Sequence, residues 1–406
     1  MTHRTRAREN ISARNPVRFL LAVSAILTTL ATLAPPAHAQ VTYTFTKVAD
    51  SLRDNFDPNN FTCASINNRG DIAFRAGRTT SDGLNSFDGI YRANADGTLT
   101  TIAEDPRRKR FGFLGNFPSI NDLGQVSFAA NLAPDFDQAI LRGDGKKLIT
   151  IATTAKQFNF FGFDTSVNNS GEVAFKAELD PEFNFDEGLF SGSGGKITTH
   201  YLASTDVSLD GDQVRFGGND SRPSINDAGD IAFDESIQPN FDAGIFVGQE
   251  GVFRTIAPPG SDSSRFFGEP VLNDAGTAAF EMSFFDETTG ESVTAIVTGD
   301  GGPLTTVADT TGPFGAFGFR PPSINNQGEV AYLAFLDDFQ SSGIFVGPGT
   351  EPVISTGDEL DGAIVSNLSF CEEGLNDSGQ LTFIATLDEL DGSGFRTAVF
   401  RATREP

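Results

Sequence analysis

The sequence predicts an all-β protein, a seven-bladed β-propeller of four-stranded blades whose ring is closed by the N-terminal strand. Three observations predict it. One four-strand pattern occurs seven times, the seventh copy lacks its outer strand, and a segment near the start of the chain matches the missing piece.

The repeat is anchored on Asn67, Asn121, Asn168, Asn226, Asn273, Asn325 and Asn376. An aliphatic residue precedes each, as in Ile66 and Leu375. Glycine stands three positions later, from Gly70 to Gly379, and an aromatic seven positions later, from Phe74 to Phe383. Asn-x-x-Gly is a turn: the asparagine side chain bonds its own backbone, and the glycine accepts a positive φ. A short first strand precedes the turn (Pro118-Ser119-Ile120), and an alternating second strand follows it (Val126-Ser127-Phe128). The third strand pairs a small residue with an aliphatic one, as in Gly89-Ile90-Tyr91 and Gly244-Ile245-Phe246. The fourth is threonine-rich and ends in Ile/Val-Ala, as in Leu99 to Ala103, with weaker versions near Ile197 and Val353. No segment has useful helical periodicity. Repeat seven ends after its third strand, and Phe45-Thr46-Lys47-Val48-Ala49 matches Leu99 to Ala103 column by column. A ring closed in this way leaves no free sheet edges.

On these motifs the chain resembles the secreted bacterial tandem repeats called HAF repeats, over residues 41–406, with Gly-Ile-Phe where those carry His-Ala-Phe in the third strand. The resemblance implies export and a bacterial source, and it brings no catalytic residues.

Residues 1–39 read as a signal peptide. Arg4, Arg6, Arg8, Arg14 and Arg18 lead an apolar run from Phe19 to Leu33, followed by Ala37-His38-Ala39. The run is too short to span a bilayer. Residues 40–406 are then the mature propeller domain, secreted to the extracellular space or periplasm, with no membrane insertion. The whole chain carries a net charge of −25, which argues against nucleic-acid partners. The basic run Arg107-Arg108-Lys109-Arg110 reads as a solvated loop tip.

With 39 Phe, 4 Tyr and no Trp, the aromatic residues read as packing rather than sugar-stacking groups. The mature part holds one histidine, His200, which reads as structural and leaves no Ser-His-Asp triad or histidine zinc site. Carboxylates recur in the loops between second and third strands: Asp88, Asp135, Asp137, Asp186, Asp242 and Asp338, each beside a phenylalanine. They read as turn-capping groups beside a packed ring, with calcium binding as the alternative. Leu209-Asp210-Gly211-Asp212 and Leu360-Asp361-Gly362 read as hairpin tips. Phe-Gly pairs such as Phe111-Gly112 and Phe317-Gly318 read as wedges between blades.

Cys63 and Cys371 are expected to form a disulfide. They occupy nearly the same place in the first strands of repeats one and seven, and become neighbours only if the ring closes. Sealing a loop of about 300 residues is worth roughly 5 kcal/mol in the chain-entropy model. The function read from all this is a non-catalytic binding or structural module with an extracellular protein or glycan partner and no cofactor. The alternative is a glycan-active lyase or hydrolase using channel carboxylates.

Overall fold

The computed structural model describes residues 41–405, apart from 80–85, 108, 136, 181–185, 219–221 and 261–265. The expected signal peptide (residues 1–39), Arg108, Phe136 and Phe185 therefore lie outside the described residues. Seven sheets follow one another along the chain, each built on four antiparallel strands. Blade one runs from its inner strand Phe56–Ile66 through Ile72–Thr79 and Ser86–Ala93 to its outer strand Leu99–Glu104. Blade three repeats this with Phe158–Val167, Val173–Leu179, Glu187–Gly192 and Ile197–Leu202. In blades two, five and six the inner strand is broken in two, as in Phe111–Leu114 and Ser119–Ile120. The Phe-Gly segments thus begin the inner strands themselves.

Blade seven closes the ring. Its strands Ala363–Ser369, Leu381–Glu389 and Phe395–Arg404 are completed by Tyr43–Asp50, with Tyr43 opposite Arg404 and Asp50 opposite Ala398. Blade four carries an addition the repeat does not foretell. The hairpin Val207–Leu209 and Asp212–Val214 joins the outer strand Val252–Ala257 in parallel, giving a six-stranded sheet. Asp210 and Asp361 form its tip and that of the Leu360 hairpin, each with φ of 53° before a left-handed glycine.

Strand alternation explains the repeat's columns. Phe128 and Val126 face back into one apolar cluster with Ala73 and Ile90 of the preceding blade, whereas Ala129 faces forward into the next. Phe233 likewise faces blade three, and Ala232 faces blade five. A large ring from one blade is therefore received by a second-strand alanine of its neighbour at six junctions, and by Ile384 where blade seven meets Phe74 of blade one. Phe111, Phe161 and Phe216 are buried in these clusters, which confirms them as wedges. The third-strand glycine has a packing reason: a Cβ on Gly244 would stand 2.9 Å from the Phe246 ring.

Up-and-down connectivity gives the ring two faces. The Asn-x-x-Gly turns gather on one, here the turn face. The starts of the inner strands and the loops between second and third strands gather on the other, the entry face. Among the described residues no helix is long and apolar enough to cross a membrane.

Candidate functional site

The central channel is lined by the inner strands, and its two halves are built differently. On the turn face, each anchor asparagine does two things. Its Oδ1 accepts backbone N–H groups of its own turn, as from Leu123 and Gln125 to Asn121. Its Nδ2 donates to the backbone carbonyl of the next blade's anchor asparagine, at 2.9 Å for Asn67 to Asn121 and 3.0 Å for Asn273 to Asn325. The same bond joins each blade to the next and returns from Asn376 to Asn67 at 2.9 Å, a closed circle of seven. Aspartate could cap the turn but could not donate, which is why the position is asparagine seven times. The fourth turn residue is always glycine, with φ between 70° and 85°.

The following residues form a second circle: Asn68, Asp122, Asn169, Asp227, Asp274, Asn326 and Asp377. Each backbone N–H donates to the next member's Oδ1 at 2.7–2.9 Å. Each asparagine Nδ2 also bridges the two flanking aspartates, as Asn326 does to Asp274 (2.7 Å) and Asp377 (3.0 Å). Donor and acceptor alternate, but seven is odd, so the alternation fails once, between Asp227 and Asp274. There only the backbone bond at 2.9 Å joins them.

Toward the entry face the lining stops repeating. The position four before each anchor asparagine is Cys63, Phe117, Asp164, Arg222, Glu269, Pro321 and Glu372 in turn. Arg222, 3 % exposed, pairs with Glu372 at 2.7 Å and with Glu373 at 3.0 Å. Arg320 also reaches Glu372, at 3.0 Å, and its guanidinium lies 3.7 Å from the centre of the Phe117 ring. Burial pulls the Arg320 guanidinium below its ordinary value, and Asp164 and Glu269 oppose that pull. Glu373 crosses the channel to accept from Ser119 (2.9 Å) and Ser166 (3.3 Å). Both glutamates belong to the turn Cys371–Gly374, where repeat seven departs from the Pro-Ser-aliphatic-Asn pattern. Cys371 is bonded to Cys63 with their Cα atoms 5.9 Å apart, as expected from the repeat.

Between blades five and six the entry face opens into a cavity of about 600 Å³. Asp234, Glu269 and Glu281 line it, with Phe267, Phe317, Phe319 and Arg320. Phe319 is 99 % exposed. The Glu281 carboxylate accepts no hydrogen bond among the described residues, and burial pushes it above the ordinary carboxylate range. Phe241 and Phe339, in the loops of blades four and six, hold left-handed φ of 60° and 53° and are largely exposed. The neighbouring Asp338 caps its own turn by accepting from Gln340 and Ser341 at 2.9 Å.

His200 lies elsewhere, buried between blades three and four. Its Nδ1 accepts the backbone N–H of Glu250, so its Nε2–H donates to Ser191 at 2.8 Å, and Ser191 donates to Glu172 at 2.5 Å. This polarity is the reverse of a serine nucleophile facing its base, and it agrees with a structural histidine. Burial lowers the His200 pKa to about 4. A second buried set joins the same two blades: Lys176, Tyr201 and the fully buried Glu235, with Lys176 to Glu235 at 2.8 Å. Sequence reasoning missed both the Arg222–Glu372 cluster and this set, because each lies at a position where the repeats disagree.

Fold and channel together define a seven-bladed β-propeller. The chain belongs to the family of unknown function DUF7453, whose model matches residues 66–400. No curated protein matches the sequence. Among solved structures it is similar to the β-propeller domain of the Trilobed protease from Pyrococcus furiosus, at 11 % identity over 84 % of this chain and 94 % of that one, with a TM-score of 0.49. It is also similar to the polysaccharide lyase Uly1, at 10 % identity over 92 % of this chain and 94 % of that one, with a TM-score of 0.47. A third likeness is to an acylaminoacyl peptidase from Pyrococcus horikoshii, at 12 % identity over 83 % of this chain and 52 % of that one, with a TM-score of 0.47.

Proposed function

We propose that this protein is a secreted, non-catalytic binding propeller that recognises an extracellular ligand on its entry face. The observation that carries the reading is the contrast within the channel. The turn-face half is used up in holding the ring together, whereas residues on the entry-face half differ from blade to blade and open into a cavity. Glu372 and Glu373 are matched by Arg222 and Arg320, which favours binding over an acid/base pair for glycan cleavage. Residues 1–39 would be the export signal and 40–406 the mature domain, in a protein of bacterial source related to HAF repeats. The Cys63–Cys371 bond supports an oxidising compartment.

The test is a panel of glycans and extracellular proteins, probed with and without calcium, using wild-type protein and an entry-face Phe319→Ala variant. Capture of a ligand by the wild type, weakened by the variant without turnover of that ligand, is expected. A ligand that is cleaved, or one held only through the Asp227–Asp274 side of the channel, would replace this reading. N-terminal sequencing of exported protein should begin near Gln40.

A further inference from the structure

Within the second strand, the residue following the aromatic column points into the junction with the next blade. In blade one it is Arg75, whose Nε donates to the Leu114 carbonyl of blade two at 3.1 Å. Its guanidinium also pairs with Asp88 at 2.8 Å and lies 5.5 Å from the centre of the Phe113 ring. In blade three it is Lys176, matched by Glu235 of blade four. Two junctions thus contain both halves of an ion pair. In blade five the position is Glu281, and no ion pair to it is formed among the described residues. Gly268 and Gly318 take the place that Gly115 has in blade two, bonding the backbone of the second strand, so Phe317 is the counterpart of Leu114. Where Arg75 fills the first junction, the fifth holds an acid and about 600 Å³ of empty space.

We propose that this cavity binds a guanidinium group, the side chain of an arginine in an extracellular polypeptide, with Glu281 as its carboxylate partner. The inference deepens the binding reading above and rests on it. Glu269 and Glu281 line the cavity, and Arg320, the arginine among its described lining residues, is committed to Glu372. The walls are otherwise apolar: Phe267, Ala316, Phe317 and Pro321 suit an arginine stem, and the exposed Phe319 offers a face on which a planar cation stacks. The raised carboxyl of Glu281 agrees with a site that lacks its cation. The chain's strong negative charge draws cationic partners toward it.

The test is a titration of the full mature protein with Nα-acetyl-arginine amide, followed by NMR into the millimolar range. Nα-acetyl-lysine amide and a glucosamine tetramer serve as the other probes. The arginine probe should bind most tightly, and Glu281→Gln should weaken it about tenfold by removing a charge-assisted bond. That variant is nearly isosteric and relieves a desolvated carboxylate, so its melting temperature should equal or exceed the wild type's. Equal binding of the arginine probe to wild type and variant overturns the inference, as does preference for the glucosamine tetramer. If the ligand panel finds an entry-face ligand indifferent to Glu281→Gln, this inference fails while the broader function stands. If nothing binds the entry face, both fail.

Discussion

The two halves of the channel are made from the same seven strands, yet one is a crystal-like repeat and the other a collection of individuals. At the turn face, every anchor asparagine makes the same bond to the next blade, and the circle returns to its origin. A few residues upstream the same strands present Phe117, Asp164, Arg222, Glu269 and Glu372 in succession. The difference teaches where this fold keeps its constraints. A bond that must close on itself allows only one residue type, whereas a position satisfied within a single junction can take whatever its neighbour matches.

The sharpest way to break the comparison is to open the ring. Deleting Val41 to Ala49 removes the outer strand of blade seven and with it Val48 and Ala49 from the cluster joining blades seven and one. Loss of cooperative unfolding in calorimetry is expected; an unchanged melting temperature would show that closure does not hold the two halves together. Next in size is Arg222→Ala, which leaves Glu372 and Glu373 facing one another with Arg320 as the remaining cation. Removing one partner of a buried pair costs about 3–5 kcal/mol in denaturant unfolding.

His200 supplies a control outside both halves. Its folded pKa near 4 lies below the ordinary histidine value, so the native state binds fewer protons than the unfolded state. Its stabilising contribution is fully present above pH 6.5 and is lost as pH falls toward 4, by about 3 kcal/mol across that window. Unfolding free energies measured along that range should fall in wild type and fall less steeply in His200→Gln.

Smaller effects separate the circles. Asn273→Asp keeps the turn cap but turns a donor toward the Asn325 carbonyl into an acceptor, at a cost of about 2–3 kcal/mol. In the second circle, Asn326→Asp would create four consecutive aspartates and remove both Nδ2 bridges, costing about 1 kcal/mol at this exposed site. Asp227→Asn only moves the break in alternation, from an aspartate pair to an asparagine pair, and should change stability by less than about 0.5 kcal/mol. Equal effects for these last two would show that the alternation has no energetic content.

Much of this was legible in the chain. The Asn-x-x-Gly columns announce seven turns, and the missing outer strand of repeat seven points to Phe45–Ala49. The shared frame of Cys63 and Cys371 places the disulfide, and the Asp-Gly tips at 210–211 and 361–362 are the turns they were read as. What could not be read is of two kinds. The donation from Asn67 to Asn121 exists only when the blades stand side by side, so a single repeat carries no sign of it. Arg222, Glu281 and Lys176 occupy positions without a consensus, and their meaning lies in which residue faces them across a junction. The hairpin Val207–Val214 was recognisable as a turn, but its parallel partner at Val252 and Phe253 lies some forty residues on and has no counterpart in other blades.

The clasp has a consequence in time. Tyr43–Asp50 is among the first stretches of the domain to leave the ribosome, and its partner Phe395–Arg404 is the last strand to do so. Through almost the whole of synthesis the early strand has no edge to join, and blade one presents a flank that only blade seven can cover. A chain interrupted before residue 395 would have its first six sheets yet remain a horseshoe. The circle of asparagines would be open at Asn376, and the apolar surface of Phe56 and Phe74 would lie bare. The architecture thus makes completion of the ring all-or-none, with the ten-residue strand Phe395–Arg404 deciding whether the sheets before it close.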